Sequence, residues 1–259
     1  MRFILVHGGF HGAWCWDRVV PALEKLGHQA IALDLPGHGA RAHERPANYR
    51  GRIQPILDVL ETGDVLVGHS GGGYDNAFAA DFAADRIGHM IFLAAGLPIE
   101  GKSVFEATGG EAEADSSGEL RATKLMDDAG GMLRFIRPLP DGTMEWHSRD
   151  GAKEFFYHDC DDATIDWAFS KLSPGISPFP SEKLHLPNFW AAQLPRSYIR
   201  CLQDRSKPLA MSQEVVRRLG VEELTIDASH SPFLSKPEEL AELFVAAVAT
   251  RPVGPMLPQ

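Results

Sequence analysis

The chain has 259 residues, 44% of them hydrophobic, which is enough to bury a full core within the upper size range of a single α/β domain. A formal net charge of −10 repels a phosphate backbone and argues against a nucleic-acid partner, and no apolar run reaches membrane-spanning length. The cysteines Cys15, Cys160 and Cys201 are odd in number without metal-ligand spacing, and the dispersed histidines form no HExxH-like pattern, so free thiols and neither metal nor cofactor are expected.

Phe3 to Val6 reads as a fully apolar strand, too short for the apolar region of a signal peptide, which gives the expectation of a cytoplasmic protein. It empties into His7-Gly8-Gly9-Phe10-His11-Gly12, a glycine-rich loop that admits close backbone approach, ahead of an amphipathic run from Trp14 to Leu26. Gln29 to Leu33 is the next strand, and the turn from Asp34 to Gly39 reads as structural, with no chemistry given to Asp34. Asn48 to Leu60 reads as helical, and Asp64 to Val67 as a strand that stops at Gly68-His69-Ser70-Gly71-Gly72 before a helix beginning near Tyr74. In this G-x-S-x-G pattern the sharp turn forces the serine into a strained conformation, and a side chain two residues to either side would collide with neighbouring backbone. An ordinary strand-to-helix turn is the competing reading, but the strand before and the helix after are the context a nucleophile needs, so Ser70 is the candidate. Ile87 to Ala95 is another strand, and the alternation of strand and helix predicts a parallel sheet with helices on both faces.

From Pro98 to Trp190 the rhythm breaks into acidic helical runs, Gly118 to Ala129 and Asp161 to Lys171, with scattered Met126, Met132, Phe135, Phe155, Phe156, Trp167 and Phe169. The stretch 98–190 reads as a helical cap inserted between core segments 1–97 and 191–259. A cap must close over something, so Phe135, Phe156 and Trp167 are expected to line an apolar pocket, with simple packing as the alternative. The rhythm resumes with the strand Ser197 to Leu202, followed by Asp204. A helix from Ala210 to Leu219 leads to the strand Glu222 to Ile226, followed by His230. A last helix spans Pro237 to Ala249, and the Pro-rich tail Arg251 to Gln259 is expected to fray.

A serine hydroxyl is a poor nucleophile until a base takes its proton, and the base needs a carboxylate to fix its tautomer and stabilise its cation. Ser70, Asp204 and His230 each lie just past a strand, at the edge of a parallel sheet where such folds place their sites. Their chain order, Ser, Asp, His, is that of the α/β-hydrolase fold. Asp227, three residues from His230 on one loop, and Asp75, pointing along a helix, each read better as a cap or a surface charge. The backbone N–H groups of Gly9 and Gly71 are expected to form the oxyanion hole.

The segment Phe3-Ile-Leu-Val-His-Gly-Gly-Phe-His-Gly-Ala-Trp-Cys-Trp16, with Leu23-Glu-Lys-Leu-Gly-His28, Leu33-Asp-Leu35 and Val67-Gly-His-Ser-Gly-Gly72, closely resembles the α/β-hydrolase subfamily of plant salicylate methyl esterases and hydroxynitrile lyases. Bacterial esterases that cleave bulky aromatic esters, pyrethroid hydrolases among them, are similar. The resemblance implies a six-stranded, mostly parallel sheet starting at the third strand of the full fold, without an N-terminal hairpin. It also implies a serine hydrolase cleaving a carboxylic ester with a hydrophobic, aromatic portion. Phe10 and His11 on the glycine loop and Ser231 beside His230 join the cap residues as candidate substrate contacts. Hydroxynitrile lyases carry a lysine directly after the catalytic histidine, where this chain has Ser231. Lys236, beyond Pro232, is expected to face solvent. Two alternatives stand beside the esterase: carbon–carbon bond hydrolysis or lyase chemistry with the same triad, and a non-catalytic small-molecule receptor. The expected partner is a small-molecule ester, not nucleic acid or membrane, with a homodimer as the candidate assembly.

Overall fold

In a computed structural model the strands among the described residues are β1 (Arg2–Val6), β2 (Gln29–Leu33), β3 (Asp64–His69), β4 (Ile87–Leu93), β5 (Glu111–Ala114), β6 (Leu120–Lys124), β7 (Ile136–Pro138), β8 (Met144–Trp146), β9 (Arg196–Cys201) and β10 (Glu223–Ile226). The structure describes all residues except 115–119, 125–128, 141–142 and 176–181, and only the backbone of 111–114, 120–124 and 129–130. Six strands form the main sheet in the order β10-β9-β4-β3-β1-β2, every neighbouring pair parallel.

Strand side chains alternate between faces, and both faces are covered, which is why these strands read as apolar runs. Phe3, Leu5, Val65, Val67, Ile91, Leu93, Ile199 and Cys201 belong to one apolar cluster with the helices Val19–Lys25 and Pro237–Val248. Ile4, Val6, Leu66, Met90, Phe92 and Tyr198 belong to the other, with the helices Gln54–Val59, Gly72–Ala83 and Leu209–Leu219. From the stretch 98–190, Trp146, Phe155, Phe156, Tyr157 and Ile165 pack into the first cluster.

Several expectations are corrected. Of the stretch Gly118 to Ala129 expected as a helix, Leu120–Lys124 form strand β6 paired antiparallel with β5, and a 3-10 helix starts only at Ala129. Leu120 and Ala122 alternate with Arg121 and Thr123, the period of two that a strand requires. A second hairpin, β7 with β8, gives the stretch 98–190 strands as well as helices, while the helix Asp162–Lys171 forms as expected. Met126 lies outside the described residues. The helix expected over Asn48 to Leu60 is two, Tyr49–Arg52 and Gln54–Val59, because Pro55 starts a new first turn. The tail does not fray. Val253 and Gly254 donate to the Gly220 carbonyl, Leu257 to that of Arg218, and Met256 is buried. Asp75 is neither cap nor surface charge: it is buried and forms a bidentate ion pair with buried Arg52, at 2.8 and 3.1 Å.

Candidate active site

The elbow at the end of β3 has the strain its sequence requires. Ser70 sits at φ +50°, in the left-handed region that costs a non-glycine residue of order 1–3 kcal/mol. Tertiary hydrogen bonds hold it there: Ser70 N–H donates to Leu93 O at 3.1 Å, and Ser70 O accepts from Gly73 and Gly96 N–H at 3.2 and 3.0 Å. A Cβ on Gly68 would lie 2.7 Å from Gly72 O, and one on Gly72 2.7 Å from His7 O, so neither position admits a side chain. Ser70 itself is half-buried and open to the surface.

Asp204 follows β9 and His230 follows β10, and the two meet. His230 Nδ1–H donates to Asp204 Oδ2 at 2.8 Å, which puts the lone pair of the neutral imidazole on Nε2. The other carboxylate oxygen accepts from Ser206 and Lys207 N–H at 2.7 and 3.0 Å, so Asp204 is locked in its own turn. His69, adjacent to Ser70, ties the serine strand to the histidine loop. Its Nε2–H donates to His230 O at 2.9 Å, and the two rings lie 4.7 Å apart. Asp227 is exposed and bonded to Gln203, away from the acid role. Asp34 is structural, accepting from Ala13 and Ala40 N–H.

The glycine loop approaches the elbow closely. A Cβ on Gly8 would lie 2.8 Å from Ser70 Cβ, and one on Gly71 3.6 Å from Gly9 N, which places the Gly9 and Gly71 backbones side by side. A Cβ on Gly9 would meet nothing within 4 Å, so that residue borders open space. His7 orients this loop from beneath: Leu35 N–H donates to its Nε2 at 3.2 Å, so Nδ1 carries the proton and donates to Gly8 O at 2.8 Å. Burial lowers the pKa of His7 to about 4 and that of His11 to about 3, keeping both neutral.

Of the candidate contacts, the structure brings Phe156, Phe10 and His11 to the site. Phe156 lies 5.9 Å from the His230 ring and 5.6 Å from that of His11, and Trp146 joins Phe156 to Phe10 at 4.4 and 5.8 Å. Ser231 is fully buried, its Oγ without a partner among the described residues. Phe135 packs one layer back, on Trp146 and Phe155, and Trp167 packs edge-on to Trp14. Sequence reasoning missed Lys207, three residues past Asp204. Desolvation pulls its amine down to about 8, with the Asp204 charge opposing. Lys236 is half-buried and faces Glu239 at 3.5 Å. Among the described residues no cluster of His, Cys, Asp and Glu could hold a metal, no disulfide joins the cysteines, and no helix is long and apolar enough to cross a membrane.

The parallel sheet, the strained serine turn and the histidine–carboxylate pair at one sheet edge define a nucleophile-elbow α/β protein. Residues 3–243 match the model of the alpha/beta hydrolase family, and the chain belongs to that family. Putative methylesterase 13, chloroplastic, of Arabidopsis thaliana is 27% identical over 256 residues, covering 94% of this chain. The chain spans only 55% of that relative's length. Norfluorocurarine synthase 1 of a Strychnos species is 28% identical over 255 residues, 93% of this chain and 92% of the relative. Among solved structures, polyneuridine aldehyde esterase has the same fold, with a TM-score of 0.75 at 21% identity over 95% of this chain and 98% of that one.

Proposed function

We propose that the protein is a serine esterase acting on a carboxylic ester with a hydrophobic, aromatic portion. The observation that carries this reading is Ser70 at φ +50° on a turn closed to any side chain at Gly68 and Gly72, with its neighbour His69 bonded to the backbone of a His230 that pairs with Asp204 at 2.8 Å. In this reading Ser70 Oγ attacks the ester carbonyl while its proton passes to His230 Nε2. The N–H groups of Gly9 and Gly71 take the oxyanion. His230 then protonates the departing alkoxide, leaving an acyl-enzyme that water hydrolyses by the same steps in reverse. Phe156, Phe10 and Trp146 supply an aromatic wall beside the histidine, which suits an aromatic group better than a charged one. The names of the methylesterase relatives agree with ester chemistry.

The test is turnover of a panel of aryl and p-nitrophenyl esters by the wild type and by Ser70→Ala. The variant is expected to remain folded and to lose on the order of a millionfold in turnover. A variant retaining a few per cent of activity removes Ser70 from the role. Mandelonitrile assayed alongside covers lyase chemistry: cyanide release at a rate comparable to ester cleavage overturns the esterase reading.

A further inference from the structure

One five-residue stretch of the cap, Phe155 to Asp159, is hydrogen-bonded to all three loops that the proposed mechanism needs besides the elbow. Ser206 Oγ, on the Asp204 loop, donates to Phe155 O at 2.9 Å. Ser229, which precedes His230, donates from Oγ to Phe156 O at 2.7 Å and from N–H to Asp159 Oδ2 at 2.9 Å. The third contact reaches the glycine loop: Tyr157 OH lies 2.7 Å from His11 Nε2. The carbonyls of Phe155 and Phe156 are free to accept because the π-helical turn Lys153–Tyr157 ends here, and the last carbonyls of a helix have no partner within it.

We propose that Tyr157 is a positioning residue for the oxyanion-binding loop, acting through His11 on the Gly9–Phe10 peptide; the proposal rests on the esterase reading above. Proton placement follows from what each group can do. Gly9 O can only accept, so the 2.8 Å contact from His11 Nδ1 requires the proton on Nδ1. A neutral imidazole then has only a lone pair at Nε2, and Tyr157 must donate. The chain of bonds thus runs one way, from Tyr157 O–H to His11 Nε2 and from His11 Nδ1–H to Gly9 O. His11 is held neutral by burial among Trp14, His69, Phe156 and Phe233.

The peptide so held needs holding. Phe10 lies at φ +65°, a conformation that an L side chain rarely adopts, and its neighbour Gly9 supplies the proposed oxyanion donor. The cap also grips Phe10 directly, through Ser173 N–H to Phe10 O at 2.9 Å and the ring of Trp146. If Tyr157 were there for packing alone, a phenylalanine would fill the same space without a buried hydroxyl to satisfy. Losing the hydroxyl should therefore disturb the transition state, where the oxyanion forms, and leave ground-state binding alone.

The experiment is Tyr157→Phe, with His11→Asn, His11→Ala and the Tyr157→Phe/His11→Ala double variant. For Tyr157→Phe on an aryl ester, kcat is expected to fall by roughly ten- to hundredfold with KM within about twofold, since small misplacement of a donor is costly. Affinity for an aryl trifluoromethyl ketone, which forms an oxyanion with Ser70, should fall by the same factor, while affinity for the unreactive methyl ketone stays put. His11→Asn, whose amide N–H can replace Nδ1–H toward Gly9 O, should retain more kcat than His11→Ala. Adding Tyr157→Phe to His11→Ala should cost nothing further. Wild-type kcat and ketone affinity in a folded Tyr157→Phe overturn the proposal, as does an additive double variant. Labelling of wild-type Ser70 by a fluorophosphonate separates the two levels: no labelling sinks the esterase reading, whereas labelling with an unaffected Tyr157→Phe sinks only this one.

Discussion

Asp204 accepts three hydrogen bonds, from His230 Nδ1–H and from the N–H groups of Ser206 and Lys207. In the proposed mechanism its charge stabilises the imidazolium that forms when Ser70 gives up its proton, and the Lys207 ammonium works against it. Burial lowers that amine to about 8, so the ammonium beside Asp204 is present at pH 7 and lost above about 8. A positive charge there opposes a second one on His230, so its loss favours the imidazolium. We therefore expect kcat for ester hydrolysis to rise as pH increases through about 8. In Lys207→Met that rise should be absent and kcat at pH 7 higher than wild type; a variant that keeps the inflection assigns it to another group. Arg52 and Asp75 form the opposite case, a pair whose charges are both buried and matched. Asp75→Ala strands the guanidinium and should cost about 3–5 kcal/mol, read as a lower denaturant midpoint, whereas a loss below about 1 kcal/mol would mean that water reaches Arg52.

At the scale of elements, the sequence was most legible where one constraint dominates. The sheet strands are apolar because both faces are covered, and the turn at Ser70 carries glycines because Cβ atoms at Gly68 and Gly72 would strike backbone. Both features appear in the order of residues alone. The cap was less legible because its short hairpins are defined by pairing across a turn and its apolar residues serve the core cluster of the sheet. Tyr157, Ser206 and Ser229 could not be found from spacing, since their partners are backbone or ring atoms far away in sequence. The tail misled for the same reason: Pro-rich composition says nothing of what awaits it. Arg218 donates to Pro98 O and also to the carbonyls of Leu257 and Pro258 at 3.2 and 2.9 Å, and Gln193 bonds both N–H and carbonyl of Met256. The tail, with Arg218, thus straps the chain near Pro98 to the chain near Gln193. Arg218→Ala takes the donor from the buried Pro98 carbonyl, at about 1–3 kcal/mol, and releases the tail at Leu257, while Pro258 O keeps the Glu100 N–H. The expected signature is faster amide hydrogen exchange at residues 99–102, 190–193 and 253–257 together. Protection lost only in the tail would show that the strap does not reach the cap.

At the scale of the molecule, buried histidines set a limit on acid stability. His7 and His89 are lowered to about 4 and His11 to about 3, and His38 and His69 are lowered as well, burial being the leading cause in each. The roles of His7 and His11 require the neutral form, because each donates through one nitrogen and accepts through the other. In the unfolded chain a histidine titrates near 6.5. Between that value and its lowered native value, the unfolded state binds more protons than the folded one, so stability falls as pH falls. Each such histidine contributes a slope of about 1.4 kcal/mol per pH unit, and three of them about 4 kcal/mol per unit, against a total stability of about 5–15 kcal/mol for a domain. Above about pH 7.5, a unit past the unfolded value, they contribute almost no slope. The urea midpoint should accordingly be level above about pH 7.5 and drop steeply between 6 and 5, with loss of the fold before the carboxylates titrate. His89 bonds Ser197 Oγ at 3.0 Å on the sheet, apart from the other four, and a glutamine can make the same bond without taking up a proton. His89→Gln should therefore flatten the slope between pH 6 and 5 by about one histidine's share, near 1.4 kcal/mol per unit. A midpoint that stays constant down to pH 5 in the wild type would mean that these histidines protonate in place, with the fold opening locally to water around them.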